Sequence, residues 1–215
     1  MTVVSIERIR TSRFIGAGRP GYPEAGIALE NNVWLVGDDE RVLIIDAAHE
    51  AAAIVAAVGE REVLGLLLTH GHEDHVNAAV EVAQSLDTHV YLHPDDLFLW
   101  RETHGDALPD FELAEGATFQ VGDVELITRH TPGHTPGSVC FVAPALDTVF
   151  SGDTLFQGGP GATRWDYSSF PQLVESIRSQ LFTLPADLTV QPGHGEHTSI
   201  GLEQPALEAW LAQRS

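Results

Sequence analysis

Lysine is absent from this 215-residue chain, and all 11 of its basic residues are arginines. Without that amine the protein cannot perform Schiff-base chemistry, bind pyridoxal phosphate covalently or hold a nucleotide in a Walker-type phosphate loop. Acidic residues number 31, which gives a formal net charge of −20. A field of that sign repels nucleic acids and anionic membranes, so we expect neither as a partner.

Cysteine and long apolar runs are also scarce. The single cysteine, Cys140, excludes an internal disulfide and favours a cytoplasmic location. We expect it to be a small core residue within a strand. No stretch reaches the roughly 20 apolar residues that a membrane helix needs, and residues 1–10 do not resemble a signal peptide. Length and a hydrophobic content of 43% predict one domain over residues 1–215 with a sizeable core.

Hydrophobic periodicity predicts an order of elements that suits two sheets covered by helices, an α+β protein with a four-layer αββα sandwich. Strands are predicted at residues 33–36, 42–46, 63–68, 90–92, 118–121, 124–129, 138–142, 148–151 and 188–191. Helices are predicted at residues 51–58, 74–86, 95–103, 170–184 and 205–212. Residues 16–31, rich in glycine and proline, read as a long loop that is either a plain surface connection or a cover over a site.

Histidine, in contrast to lysine, is frequent, with 11 residues. The densest group is Thr-His-Gly-His-Glu-Asp-His at residues 69–75, between a predicted strand and a predicted helix. His70 and His72 point to the same side of an extended segment, and Asp74 and His75 on the first helical turn can face the same spot. Imidazole nitrogens and carboxylate oxygens suit Zn²⁺. A merely solvated loop would not require this spacing, so we interpret the segment as metal-binding.

Three later turns carry further candidate ligands, each just past a predicted strand and flanked by glycine or proline. They present His134 within residues 131–137, Asp153 within residues 151–154 and His194 within residues 191–195. Each turn alone is a weak signal, but together with the first cluster they predict one metal centre. We also expect Asp46, at the end of a predicted strand, to orient one of the ligand histidines. Ordinary surface, loop or structural roles are assigned to the other histidines, His49, His89, His93, His104, His130 and His197.

This set of residues, in this order, resembles the metallo-β-lactamase superfamily over essentially the whole chain. The resemblance implies the metallo-β-lactamase form of the αββα sandwich and two zinc ions per chain, with iron and manganese as alternatives. By matching position it assigns one metal to His70, His72 and His134, the second to Asp74, His75 and His194, and a bridging role to Asp153.

The branch of the superfamily is indicated by Asp153 and the glycine-rich segment after it. β-Lactamases of the superfamily usually have cysteine or serine at this position, and the nucleic-acid-processing branch carries an extra domain that this length does not accommodate. Residues 151–161 look most like the glyoxalase II group, which hydrolyses thioesters of low-molecular-weight thiols, and the length resembles its single-domain members. Residues 31–34, 46–49 and 156–163 look like an actinobacterial subgroup that is associated with mycothiol-dependent formaldehyde oxidation.

The resemblance therefore implies a small-molecule thioester as substrate, an S-acyl or S-formyl derivative of mycothiol or glutathione. A metal-bridging hydroxide would attack the acyl group, with Asp74 and Asp153 as the catalytic carboxylates. Arg164 and Tyr167 are candidates for substrate binding, against the alternative of surface packing. Three other functions stay open: a persulfide dioxygenase with one iron at His70, His134 and Asp153, another hydrolase such as a lactonase, and a non-catalytic metal-binding protein. No oligomeric state is predicted.

Overall fold

The computed structural model describes residues 3–15 and 23–213. In its first sheet, six strands lie side by side in the order in which they occur along the chain. The first two pairs of neighbouring strands are antiparallel, and the last three pairs are parallel. The strands are β1 (Ser5–Ile15), β2 (Ile27–Gly37), β3 (Arg41–Ile45), β4 (Glu62–Leu67), β5 (Val90–Leu92) and β6 (Phe111–Glu112).

The second half of the chain forms another six-stranded sheet and a small two-stranded one. The strands are β7 (Thr118–Val121), β8 (Val124–His130), β9 (Val139–Ala143), β10 (Thr148–Gly152), β11 (Leu155–Phe156), β12 (Gly159–Pro160), β13 (Thr189–Pro192) and β14 (Thr198–Ser199). The larger sheet has the order β14-β13-β10-β9-β8-β7, and β11 pairs with β12. Only the β10–β13 pair of this sheet is parallel among the described strands.

Helices cover both outer faces. They are α1 (Ala51–Val58), α2 (Glu73–Val76), α3 (Ala79–Leu86), α4 (Leu97–His104), α5 (Phe170–Ser176), α6 (Ile200–Glu203) and α7 (Leu207–Ala212). Helices α1 and α3 pack on the first sheet, and α5 and α7 pack on the second. The predicted αββα sandwich is therefore confirmed.

Alternation along the strands divides the core into layers, because successive side chains of a strand face opposite sides. In β3, Ile44 packs under the helices, while Leu43 and Ile45 lie between the sheets. In β9, Phe141 lies between the sheets, and Cys140 faces the layer beneath α5. Cys140 is fully buried, as expected of a core residue, and burial raises the pKa of its thiol to about 11.

The predicted helix at residues 74–86 is wrong as one element, because it is interrupted between α2 and α3. The backbone N–H of Ala78 donates to the carbonyl of Ala47, and the N–H of Ala47 donates to the carbonyl of His75. These two bonds connect the short helix α2 to the segment that follows β3. They interrupt the helical hydrogen bonding between α2 and α3. The consequence is that His75 is fixed directly to the sheet.

Other boundaries also differ from the predictions. The loop predicted at residues 16–31 is wrong for its last part, since β2 begins at Ile27; residues 16–22 lie outside the described residues. The predicted helix at residues 95–103 begins as a 3₁₀ turn, Pro94–Asp96, before α4. Helix α5 continues as a π-helical segment, Ile177–Leu181. Within the described residues, no helix has both the length and the apolar character that crossing a membrane requires.

Candidate metal centre

The predicted ligands meet at one edge of the sandwich, where they leave the ends of strands from both sheets. Four of them follow β4 in the first sheet, and the others follow β8, β10 and β13 in the second. Their ligand atoms form overlapping groups in which all atoms lie within 4.8 Å of one another. These groups are His70, His72 and His134; His70, His75 and Asp153; and Asp74, His75 and His194. The structure thus brings together every predicted ligand.

The first group consists of imidazoles whose nitrogens face one another. The Nδ1 atom of His72 lies 3.0 Å from the Nε2 atoms of both His70 and His134. The outward nitrogen of His134 donates to the carbonyl of Ala162 at 2.7 Å, and that of His70 lies 3.1 Å from the hydroxyl of Thr69. With their protons on the outward nitrogens, His70 and His134 present lone pairs to the shared space, which is the arrangement of imidazoles that bind a cation.

The second group joins an aspartate to two histidines. The Nε2 atom of His194 lies 3.2 Å from both the Oδ2 atom of Asp74 and the Nε2 atom of His75. The other nitrogen of His75 contacts the carboxylate of Asp46 at 2.9 Å, and that of His194 donates to the carbonyl of Glu30 at 2.6 Å. The predicted contact between Asp46 and a ligand histidine is confirmed.

Asp153 lies between the two groups. Its Oδ2 atom is 3.6 Å from the Nε2 atoms of both His134 and His194, and its Oδ1 atom is 3.4 Å from the Nε2 atom of His75. The Oδ1 atom is buried and forms no hydrogen bond of good geometry within the described residues, although the Nε2 atom of His75 faces it. A buried carboxylate oxygen without a donor is costly unless a cation compensates it. Donor chemistry and the orphaned oxygen therefore fit two divalent cations with Asp153 between them.

The two groups differ in their electrostatics. Burial, followed by the neighbouring imidazoles, lowers the pKa of His70 well below its usual value, and the same causes lower the pKa of His72 to about 3. Burial also acts to lower the pKa of His75, but the charges of Asp153 and Asp74 outweigh it and raise that pKa well above its usual value. The first group is therefore neutral at pH 7, whereas the second group carries a proton on His75.

The carboxylates of the centre stay ionised. Burial alone would raise the pKa values of Asp74 and Asp153, but the adjacent His75 and His194 hold both well below the usual range. Asn31 also donates its amide N–H to the Oδ2 atom of Asp74 at 3.2 Å. Ionised oxygens are the form that a divalent cation requires.

A cleft of about 560 Å³ opens onto the centre. Tyr167 stands in its wall, with its hydroxyl 2.9 Å from the Nε2 atom of His72. The ring of Tyr167 lies nearly parallel to that of Trp165, with centroids 6.0 Å apart, and edge-on to Phe98 at 5.2 Å. Arg164 lines the same cleft and places its guanidinium 4.8 Å from the ring centroid of Trp165. Both predicted substrate-binding residues therefore border the cleft, and only Tyr167 contacts a candidate ligand.

Three residues at the centre were missed as functional candidates, namely Asn31, His49 and Asp96. His49 lies in a loop, as the sequence predicts, but it also has a role at the centre, because its Nε2 atom lies 2.9 Å from the side-chain oxygen of Asn31 and so orients the amide that contacts Asp74. A signal was available, since Asn31 and His49 fall in two of the stretches that resemble the actinobacterial subgroup. Asp96 has no such signal, because an aspartate after proline is common at the start of any helix.

Comparisons with known proteins agree with this geometry. A sequence model described as the metallo-beta-lactamase superfamily matches residues 26–194. The chain is 34% identical to hydroxyacylglutathione hydrolase GloC of Haemophilus influenzae, over 82% of this chain and 91% of that protein. The solved structure of TTHA1623 in a di-iron-bound form is similar with a TM-score of 0.70 and 35% identity, covering 82% of this chain and 93% of the other. ETHE1 from Myxococcus xanthus has a TM-score of 0.67 and 25% identity, with coverages of 90% and 80%.

Proposed function

Because this chain belongs to the metallo-β-lactamase superfamily, we propose that it is a metal-dependent hydrolase of thioesters of a low-molecular-weight thiol. The observation that carries the proposal is the complete set of candidate ligands around Asp153, whose buried Oδ1 atom forms no hydrogen bond of good geometry in the described part of the chain. The 34% identical relative that is named a hydroxyacylglutathione hydrolase supports the same substrate class.

His70, His72 and His134 would hold one divalent cation, Asp74, His75 and His194 the other, and Asp153 would contact both. When bound, such cations lower the pKa of a coordinated water to about 7 and polarise an acyl oxygen. Zinc suits this mixture of imidazole and carboxylate ligands. Iron is the alternative to test, because the similar structure of TTHA1623 is in a di-iron-bound form.

The chain's own groups then orient the reactants. The ionised carboxylate of Asp153 can accept a hydrogen bond from the attacking water through an oxygen that holds no cation, and so direct the water toward the acyl carbon. The hydroxyl of Tyr167 accepts a hydrogen bond from His72, which leaves its O–H free to donate into the cleft. A thiolate is a good leaving group, so the reaction does not need a strong general acid.

The cleft has the size of a small-molecule site. Trp165 and Tyr167 give it an aromatic wall, and Arg164 forms no ion pair within the described residues and can contact an anionic group of the substrate. We propose mycothiol thioesters, including S-formylmycothiol, as the first substrates to test, because residues 31–34, 46–49 and 156–163 resemble the mycothiol-associated subgroup. Glutathione thioesters are the second set.

The test is hydrolysis of mycothiol and glutathione thioesters, measured side by side as release of free thiol by protein loaded with zinc, manganese or iron. We expect turnover of at least one thioester and a loss of at least about 100-fold in Asp153→Asn. Asp147→Asn is the matched control, because Asp147 lies in an exposed turn with φ 45°, a conformation that asparagine tolerates. Metal-loaded protein that hydrolyses none of the thioesters would contradict the proposal.

A persulfide dioxygenase is the second candidate, since His134 and Asp153 approach within 3.6 Å and His70 shares a ligand group with Asp153. One iron could occupy these three residues. One iron per chain, together with sulfite formation from a persulfide, would favour this candidate and contradict the hydrolase. Retained activity in His72→Ala would point the same way, because a two-metal hydrolase needs that ligand.

A further inference from the structure

A buried carboxylate joins the two loops that carry His70, His72 and His134. Asp96 ends the 3₁₀ turn before α4 and has no exposed surface. Its Oδ2 atom accepts from the backbone N–H of Gly71 and from the hydroxyl of Thr135, both at 2.7 Å. Its Oδ1 atom accepts from the backbone N–H of Gly137 at 2.6 Å. One side chain thus binds a loop of the first sheet and a turn of the second.

The donors stand beside the ligands themselves. Gly71 separates His70 from His72, and Thr135 directly follows His134. A Cβ atom at Gly71 would lie 2.9 Å from the backbone oxygen of Asp96, and one at Gly137 would lie 2.7 Å from its side chain. Both loops therefore approach Asp96 more closely than any residue with a side chain permits. Asp96 therefore contributes to the position of the two loops, together with the bond from the backbone N–H of Val139 to the carbonyl of Thr69.

A neutral amide could not replace this carboxylate. All three contacts require an acceptor, and the carboxylate supplies both of its oxygens. Asparagine offers one oxygen and one NH₂ group, so its NH₂ would face an N–H or O–H donor in a buried space. The mismatch is relieved only if one of the loops moves away.

We propose that Asp96 is a positioning residue that holds His70 and His72 against His134 and so sets the affinity of this group for its cation. The inference rests on the metal centre of the proposed function but not on its substrate. The three hydrogen bonds of Asp96 do not involve the other group, in which Asp46 contacts His75 and a backbone carbonyl binds His194. Asp46 also accepts from Thr69, so it supports both groups. Loss of the Asp96 carboxylate is therefore expected to weaken the binding of one of the two cations and to leave the binding of the other unchanged.

The experiment is titration of metal-free protein with Co²⁺ against a competing chelator, followed by the absorption of the bound ion. We expect the unsubstituted chain to bind two ions. Asp96→Asn is expected to keep one at unchanged affinity and to bind the other about 10–100-fold more weakly. Adding His194→Ala to Asp96→Asn then removes the remaining tight ion. Asp147→Asn is again the matched control, because Asp147 is exposed and belongs to none of the candidate ligand groups of the described residues.

If folded Asp96→Asn binds both ions with the affinities of the unsubstituted chain, the inference is overturned. If circular dichroism shows that Asp96→Asn does not fold, Thr135→Val carries the test, because it removes one donor to Asp96 and buries no new polar group. Weaker binding of one ion by Thr135→Val supports the inference, and unchanged affinity for both ions overturns it. Two ions bound without hydrolysis of any thioester would contradict the proposed function alone.

Discussion

At the residue scale, the ligand histidines differ in what holds their outward nitrogens. His75 contacts the buried carboxylate of Asp46, and His134 and His194 donate to backbone carbonyls. His72 instead contacts the hydroxyl of Tyr167, which stands in the wall of the cleft. The orientation of His72 is therefore coupled to whatever contacts Tyr167, whereas His75 is held by a buried carboxylate and His134 and His194 are held by backbone carbonyls.

His75 determines how metal binding depends on pH. Although burial opposes it, Asp153 and Asp74 raise the pKa of His75 well above the usual value, so the metal-free group holds a proton at pH 7. A cation at Asp74, His75 and His194 must displace that proton, because only neutral imidazole is a ligand. We expect the affinity at this group to fall about tenfold for each pH unit below that raised pKa.

Titration calorimetry in two buffers with different ionisation heats measures the released protons. At pH about 5.5, where a coordinated water with a pKa of about 7 stays unionised, we expect one ion to release at least one proton. The other ion should release fewer protons, because the pKa of His72 is about 3 and burial lowers the pKa values of His70 and His134 as well. His89→Gln, at an exposed histidine, is the control and should not change the release. Absence of proton release with either ion would contradict this assignment.

At the scale of elements, helix α5 supports the turn that presents His134. The backbone N–H of Ser169, the residue that caps α5, donates to the carbonyl of Gly133, and the hydroxyl of Ser176 donates to the carbonyl of Pro132 at 2.7 Å. Gly133 has φ 140°, and an added Cβ would lie 2.3 Å from the backbone nitrogen of Leu173 in α5. The helix and the turn are therefore in backbone-to-backbone contact.

Gly133→Ala is expected to separate α5 from this turn. Overpacking of this kind costs about 1–3 kcal/mol in addition to backbone strain. We expect the variant to lose at least that much free energy of unfolding in urea and to bind the ion at His134 more weakly. Gly116→Ala is the matched control, because Gly116 has a positive φ of 77° but no atom near an added Cβ. Equal losses in the two variants would mean that strain, and not contact with α5, explains the effect.

Some of the secondary-structure elements could be predicted from the sequence, and others could not. Strands such as β3 and β4 and helix α1 are predicted to within one residue, because their apolar patterns are set by burial. The two-residue strands β6 and β14 and the interruption of the helix after Val76 were not predicted, since they depend on backbone hydrogen bonds to distant residues such as Ala47.

The residues of the candidate site likewise fall into those that could be predicted from the sequence and those that could not. The ligands could be predicted because metal chemistry restricts their residue types and because each follows a strand. Asp96 could not be predicted, and His49 only through the resemblance of residues 46–49 to a known subgroup. Their roles come from partners that are distant in sequence, Asn31 for His49 and Gly71, Thr135 and Gly137 for Asp96. A histidine or an aspartate in a loop has no local pattern that reveals such partners.

At the scale of the whole molecule, few basic side chains offset the negative charge of the acidic residues. The arginines near β1 form exposed ion pairs, including Arg8 with Glu196 at 3.1 Å and Arg61 with Glu7 at 2.7 Å. Exposed pairs of this kind contribute only about 0–1 kcal/mol each. With a net charge of −20, we expect repulsion between carboxylates to exceed these attractions.

Added salt should therefore stabilise the metal-free protein. Raising NaCl from 0.1 M to 1 M shortens the Debye length from about 10 Å to about 3 Å and screens the repulsion. We expect Tm to rise by at least about 2 °C in a thermal melt, which corresponds to roughly 1 kcal/mol for a chain of this size. KCl is the control, because screening does not depend on which monovalent cation is used. A fall in Tm would mean that the ion pairs outweigh the repulsion.

The ligand groups have one more property in common, which is that each contains residues from both sheets. His70, His72, Asp74 and His75 belong to the N-terminal half of the chain, and His134, Asp153 and His194 belong to the C-terminal half. A bound cation would therefore be a cross-link between two halves that share no strand pairing among the described strands. Uptake of Co²⁺ during refolding would accordingly report the docking of the two halves, and not the formation of either sheet alone.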